Sequence, residues 1–385
     1  MQRIYFDNAA TSWPKPSEVY TAVMEAMQVE GAAAGRGGYA SAVRAGSRVD
    51  QARMHVARVL GATVPERIIF TQNGTDALNL ALHGILRDGD HVVTTVVEHN
   101  SVLRPLAWAE RYRGVQVTHV GCNDEGGVSI DEMRDAVTSS TRLVVVSHAS
   151  NVTGAIQPIQ EIVDIAHHRG ALVLVDAAQS VGHVPLEVAS HGWDLVACSG
   201  HKGLLGPLGT GILYVAPGVE EQLLPVRQGG TGTESRSELP PDALPERYEA
   251  GNLNVPALAG LAAAADFVAR QGVGQVIDTH EWQLTQYLLE LLATLPQITI
   301  YGPPPRAIRT PVVSLRLEGY DPQELASILD SAAGIETRAG LHCAPRMHQA
   351  LRTEQFGGTL RLSLGRFNTM DQVDQAVEVF RQLCQ

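Results

Sequence analysis

The 385-residue chain has little of several things, and each shortage argues against a class of protein. No apolar run reaches the roughly 20 residues that a membrane-spanning helix needs. Glycine or charge breaks each one first. The opening stretch "MQRIYFDNAATSWPKP" has no charged leader ahead of an apolar core, so no secretory signal is expected. Cys122, Cys198, Cys343 and Cys384 lie far apart. That spacing argues against a disulfide scaffold and against a zinc site of the usual paired type. No metal is expected, and a reducing cytoplasm is. Basic residues are also short: 29 Lys and Arg against 41 Asp and Glu leave a net charge of −12. A phosphate backbone needs a basic face, so nucleic acid is not expected as a partner. A local basic pocket for a small anion stays open.

What is present reads as an ordinary globular protein, 44% hydrophobic and 18% charged. The length suits one large and one smaller unit. Short β-branched runs stand at 67–71, 91–98, 142–150, 171–178, 194–199 and 211–215. Helical patterns at 41–60, 76–86, 101–113, 129–138 and 158–169 alternate with them. Near-continuous apolar runs between helices predict an α/β fold, a mostly parallel sheet covered by helices on both faces. Beyond about 216 the pattern changes. The stretch 227–254 is rich in Gly, Pro and charge, and too long for a plain connection, so it is functional or lies at an interface. Helices at 256–271, 275–295, 322–333 and 371–384 follow, with strands at 310–319 and 359–368. They predict a smaller C-terminal α/β domain. The expected division is 16–255 and 256–385, with segment 1–15 joining the smaller unit.

Polar residues collect at the carboxyl ends of the strands, where open parallel sheets bind ligands. They are Gln72 to Thr75, Glu98 to Asn100, His148 to Asn151, Asp176 with Gln179, and Ser199 with His201 and Lys202. Gly74 and Thr75 open a helix, whose free amides and dipole can hold an anion. They serve equally as a plain cap, with Thr75 or Asp76 satisfying the first turn. An anion there requires Asp76 to turn away. Asp176 ends a buried strand, but no GxxxxGK[ST] loop accompanies it. It can hold a protonated nitrogen or simply brace a turn. Lys202 stands in "SGHKGLLGPLGTGILYV", where glycines let the backbone approach a ligand. Alone, it reads more simply as a solvated loop lysine. A lysine, an aspartate and a phosphate cradle together are the protein parts that pyridoxal phosphate chemistry needs.

The motifs "YFDNAAT" (5–11), "NGTDALNL" (73–80), "EHNS" (98–101), "SHASNVTG" (147–154), "VDAAQS" (175–180), "SGHKGLLGPLGTGILY" (199–214), "EAGNLN" (249–254), "RAGLHCA" (338–344) and "LRLSLGRFNT" (360–369) run nearly the whole length. Together they resemble the cysteine desulfurase branch of the class V aminotransferases, enzymes of fold type I that use pyridoxal 5′-phosphate. The resemblance implies a role for each matching residue. Lys202 would anchor the cofactor covalently and later move a proton. Asp176 would pair with the pyridine nitrogen, His99 would stack on the ring and Gln179 would reach its phenolic oxygen. Gly74, Thr75, Ser199 and His201 would bind the phosphate. Asn252, where many relatives carry threonine, would reach the phosphate held by a second subunit. Asn151, also a contact of the cofactor, and Arg361, with Arg338 beside them, would bind substrate, Arg361 by a two-pronged bond to a carboxylate.

Cys343 matches the sulfur-accepting cysteine of that branch. Arg338, His342, Arg346 and His348 surround it in sequence, and positive neighbours favour the thiolate that attacks sulfur. Apart from the match, a lone cysteine is as readily an inert buried one. The implied reaction takes L-cysteine to L-alanine and leaves the sulfur on Cys343 as a persulfide. The implied assembly is a homodimer with shared active sites, with a sulfur-acceptor protein as a candidate partner. A selenocysteine lyase or another C–S lyase is the alternative reading, and a true aminotransferase a more distant one.

Overall fold

The computed structural model describes residues 3–35, 37–234, 236–272, 276 and 279–385. After a two-residue strand, β1 (Ile4–Tyr5), the apolar runs build one seven-stranded sheet. Its strands are β2 (Ile68–Thr71), β3 (His91–Thr95), β4 (Gln116–Val120), β5 (Thr141–Ser147), β6 (Leu172–Asp176), β7 (Leu195–Ser199) and β8 (Gly211–Val215). Their order is β2-β8-β7-β6-β5-β3-β4. Only β8 runs against its neighbours. Residues 200–210 join β7 to β8 without a helix, and a parallel pair needs a longer crossover.

Alternate side chains of each central strand enter different cores. Leu143, Val145, Leu174, Leu195 and Leu213 face one side. Val144, Val146, Val173, Val175, Val196 and Ile212 face the other. Burial on both faces is why these strands read as unbroken apolar runs. Helices α1 (Ser17–Glu25) and α2 (Ala40–Leu60) precede the sheet, and α3 (Gly74–Ile85), α4 (Asn100–Arg113), α5 (Ile130–Ala136) and α6 (Ile159–His168) lie between its strands. Leu78, Leu82 and Ile85 of α3 and Leu106 of α4 cover the first face. Val49, Val56 and Leu60 of α2, Met133 of α5 and Ile162 of α6 cover the second. Strand β4 escaped the sequence reading because it is a half-exposed edge, "QVTHV", with polar residues between its valines.

The second unit contains α8 (His280–Leu292), β9 (Ile298–Tyr301), β10 (Val312–Leu317), α9 (Pro322–Ala333), β11 (Ile335–Glu336), β12 (Arg338–Gly340), α10 (Pro345–Ala350), β13 (Thr359–Ser363) and α11 (Met370–Leu383), numbering the intervening helix Val255–Gln271 as α7. Of the helix expected at 275–295, residues 275, 277 and 278 lie outside the described residues. The sheet, in order β12-β13-β10-β9, is antiparallel. The strand-helix-strand-helix reading thus missed β9 and β12, which are short and only partly buried. Leu288, Leu329, Val377 and Phe380 pack on Val313, Leu315, Leu360 and Leu362. Ile4 and Phe6 join this core, and β1 pairs with β11 in parallel.

The boundary at 255/256 needs correction. Leu258, Leu261 and Ala265 of α7 belong to the core of the large unit, against α2. We propose that the division falls after Gln271. Among the described residues no helix is long and apolar enough to cross a membrane.

Candidate active site

Strands β2, β3, β5, β6 and β7 point the same way, so Thr71, Thr95, Ser147, Asp176 and Ser199 end at one edge. Ser147 lies opposite Asp176 in the ladder, and Asp176 opposite Ala197. A cleft of about 570 Å³, mouth included, opens there. Gly74, Thr75, His99, Asn151, Asp176, Gln179, Ser199, His201 and Lys202 all line it. Asn252 does not. It is exposed, in a separate hollow with Gln72, Gly209 and Arg227.

The start of α3 is capped by Asn73, whose Oδ1 accepts from the Asp76 amide at 2.8 Å, rather than by Thr75 or Asp76. Asp76 turns away from the cleft: its Oδ2 accepts from the Gln72 amide at 3.0 Å. Thr75 Oγ1 is therefore free to meet Ser101 Oγ at 2.7 Å. A Cβ on Gly74 would stand 2.6 Å from Ser199 Oγ, so the glycine lets that hydroxyl keep its place against this helix end. Hydroxyls and a positive helix terminus now face one space, which suits an anion.

His99 is the cap of α4, its Nδ1 accepting from the Ser101 amide at 3.0 Å. Burial, then the charges of Lys202 and Arg338, push its pKa down to about 4. The ring is neutral at pH 7, and with Nδ1 accepting, its proton is assigned to Nε2. The Asp176 carboxylate accepts from the Ala178 amide at 3.0 Å. Burial pushes its carboxyl above the usual range, against the opposing pull of Lys202. Burial in turn pushes the Lys202 amine down to about 8, and Asp176 opposes it. Gln179 Nε2 donates to the Ala9 carbonyl at 3.0 Å. Burial also takes His201 to about 4, and its Nδ1 is buried with no partner among the described residues. The glycine after Lys202 has a steric reason. A Cβ on Gly203 would lie 2.2 Å from the Val181 carbonyl oxygen.

The second unit supplies Arg338, Cys343 and Arg361. Arg361 is 1% exposed. Its Nη2 donates to Asp7 Oδ1 at 2.8 Å and its Nη1 to the Asn151 carbonyl at 3.1 Å, while its Nε is unpartnered among the described residues. Cys343 borders an adjoining hollow with Thr75, His99, Arg104 and Trp108. The expected ring of positive neighbours shrinks. Arg338 Nη2 is 3.6 Å from the Cys343 sulfur. His342 and His348 turn to Thr359 and Thr353 instead. Burial holds His342 well below its usual range and His348 at about 4, so neither carries charge at pH 7.

Three residues of the site had no assigned role in the sequence. Asp7 reaches Arg361 across the whole chain, and no local spacing signals that. Ser101 lies inside the "EHNS" motif and links His99 to Thr75. Glu98 is fully buried, accepts from Thr95 Oγ1 at 2.6 Å and Ser147 Oγ at 2.8 Å, and is pushed by burial up to about 7.

An amine held near neutrality, a buried carboxylate, an orphaned imidazole nitrogen and an anion-ready helix end fit pyridoxal phosphate. Among the described residues no group of three or more His, Cys, Asp or Glu side chains could hold a metal ion.

Comparison with known proteins gives one direction. The family model described as aminotransferase class-V matches residues 4–376. A protein of Methanothermobacter thermautotrophicus named "probable cysteine desulfurase" is 38% identical over 99% of this chain and 94% of its own. A cysteine desulfurase of Escherichia coli is 32% identical over 97% of this chain and 91% of its own. The apo structure of a cysteine desulfurase from Thermococcus onnurineus superposes with a TM-score of 0.91 at 33% identity, covering 99% of this chain and 94% of that one.

Proposed function

The chain belongs to the class V aminotransferase family, and on that premise we propose that it is a cysteine desulfurase that uses pyridoxal 5′-phosphate. It takes L-cysteine to L-alanine and carries the sulfur on Cys343. The observation that supports this most is that the Lys202 cleft and the Cys343 hollow adjoin, sharing Thr75, His99 and Ser101, with Arg338 at the cysteine sulfur. An aminotransferase has no use for a thiol at that position.

Gly74, Thr75, Ser199 and His201 would hold the cofactor's phosphate, Asp176 its pyridine nitrogen, Gln179 its phenolic oxygen, His99 its ring face and Lys202 its aldehyde carbon. When bound, the group supplies a sink for the electron pair left at the substrate Cα. Asn151 and Arg361 orient the substrate by its carboxylate, with Arg361 already fixed by Asp7. Arg338, 3.6 Å from the sulfur of Cys343, helps position it. Lys202, pushed down to about 8, can take the Cα proton near neutral pH. The Cys343 thiolate then attacks the substrate sulfur. The new S–S bond forms as the Cβ–S bond breaks, and the bonding pair stays with carbon, which takes a proton and leaves as alanine.

A homodimer, a cytoplasmic location and a protein acceptor for the sulfur complete the proposal. Exposed Asn252 within the long 227–254 segment supports the first, as a group offered to a second copy. Single-turnover reaction with ³⁵S-labelled L-cysteine tests the whole reading. One label per site should appear on Cys343, with equimolar alanine. Label accumulating equally on a Cys343→Ala variant would sink it.

A further inference from the structure

Cys343 stands in a backbone conformation that must be held from outside. His342 has φ +47° and Cys343 φ +58°, two consecutive left-handed residues that are not glycine. Such residues are costly and persist where their surroundings fix them. Two donors from the large unit do so. Asn151 Nδ2 donates to the His342 carbonyl at 2.6 Å. The Asn100 amide, next to the ring of His99, donates to the Cys343 carbonyl at 2.7 Å. The turn closes on itself through the Ala344 amide and the Leu341 carbonyl, 2.8 Å apart.

Asn151 is itself rigidly mounted. Its carbonyl accepts from Arg361 Nη1 at 3.1 Å. The next two amides, Val152 and Thr153, donate to Ser150 Oγ at 3.2 and 3.1 Å. Ser314 Oγ and Arg309 Nη2 each donate at 2.6 Å to the carbonyls of Val152 and Thr153. The side chain is 8% exposed as a residue and has little freedom to point elsewhere.

We propose that Asn151 is a positioning residue for Cys343: through the His342 carbonyl it sets where the attacking sulfur stands. A carboxamide carries two N–H hydrogens. One holds the turn, which leaves the other for the substrate carboxylate. A single side chain then fixes both partners of the sulfur–sulfur step. This rests on the desulfurase reading and goes beyond the carboxylate role that the family resemblance implies. Asn100 contributes only a main-chain donor, so of the two donors from the large unit Asn151 is the one that a substitution can remove. Misplacing a reacting atom by about 1 Å can cost on the order of 10²-fold in rate.

Amide hydrogen exchange on the holoenzyme without L-cysteine tests this, alongside steady-state kinetics, in Asn151→Asp and Asn151→Ser variants. Asp keeps the shape but has no N–H, and Ser is too short to reach the carbonyl. The Ala344 amide should exchange at least tenfold faster in both, with exchange across β5 and β6 unchanged, and kcat should fall by tens of fold. A raised KM with wild-type kcat and an unaltered Ala344 amide overturns the proposal and leaves Asn151 a carboxylate ligand only. Faster exchange with wild-type KM keeps the proposal and removes the carboxylate role. A wild-type enzyme that puts no sulfur on Cys343 refutes the desulfurase reading itself, whatever the exchange data give.

Discussion

Lys202 lines the strand-end cleft and Cys343 the hollow beside it, each from a different unit, and their backbones are held by different means. The Lys202 loop is held by close main-chain packing and by hydrogen bonds from residues 11–15. Gly203 packs against the 181–182 backbone. The His201 carbonyl accepts from the Ser12 amide at 3.0 Å, Thr11 Oγ1 at 3.2 Å and Lys15 Nζ at 3.0 Å. The Cys343 turn is left-handed and tied across the units by hydrogen bonds to two carbonyls. The amine must serve the cofactor's aldehyde carbon and then the substrate Cα from one backbone position, and a glycine-lined sheet edge provides that. The thiol must attack a sulfur and later surrender it, and a turn held by separable bonds suits that cycle.

Breaking the first region should remove more than breaking the second. Lys202→Ala is expected to lower kcat by about 10³-fold or more, with no lysine linkage trapped by borohydride. A variant that still gives the trapped peptide would remove Lys202 from its role. Cys343→Ala should spare that linkage and lose sulfur transfer together with the alanine it yields, as read by alanine release from L-cysteine. Gly203→Ala should be milder. Its Cβ meets main chain, so the loop must shift, at about 1–3 kcal/mol of stability. A lowered Tm with reduced kcat is the expected pair of readouts, and an unchanged Tm contradicts the close packing. The smallest effect concerns pH. Cofactor loading of the apoprotein needs the neutral amine. The loading rate should therefore rise roughly tenfold per pH unit below about 8 and level off above it. The Asp176 charge raises the Lys202 pKa, so Asp176→Asn should move the plateau to lower pH. A plateau that moves upward contradicts the charge coupling.

The sheet edge was legible in the sequence because strand ends are local. Each buried run ends in its own polar residues, and Gly74, Asp176 and Lys202 could be placed on one edge from the alternation alone. The surroundings of Cys343 were not. Counting His342 and His348 as positive neighbours overlooked that both rings are buried and uncharged. The Asp7–Arg361 pair joins residues 354 apart, beyond any periodic signal. Reversal of β8 follows from the short 200–210 connection, and the lengths were there to be read. The edge strands β4, β9 and β12 stayed hidden because half-exposed strands carry little apolar pattern.

The central claim is that sulfur leaves L-cysteine for Cys343 under the action of Lys202. A rapid-quench single turnover with ³⁵S-labelled L-cysteine measures it directly, counting label on the Cys343 peptide against alanine formed. The account requires the two to rise together, one to one. Alanine formed at full rate while the Cys343 peptide stays unlabelled would contradict it.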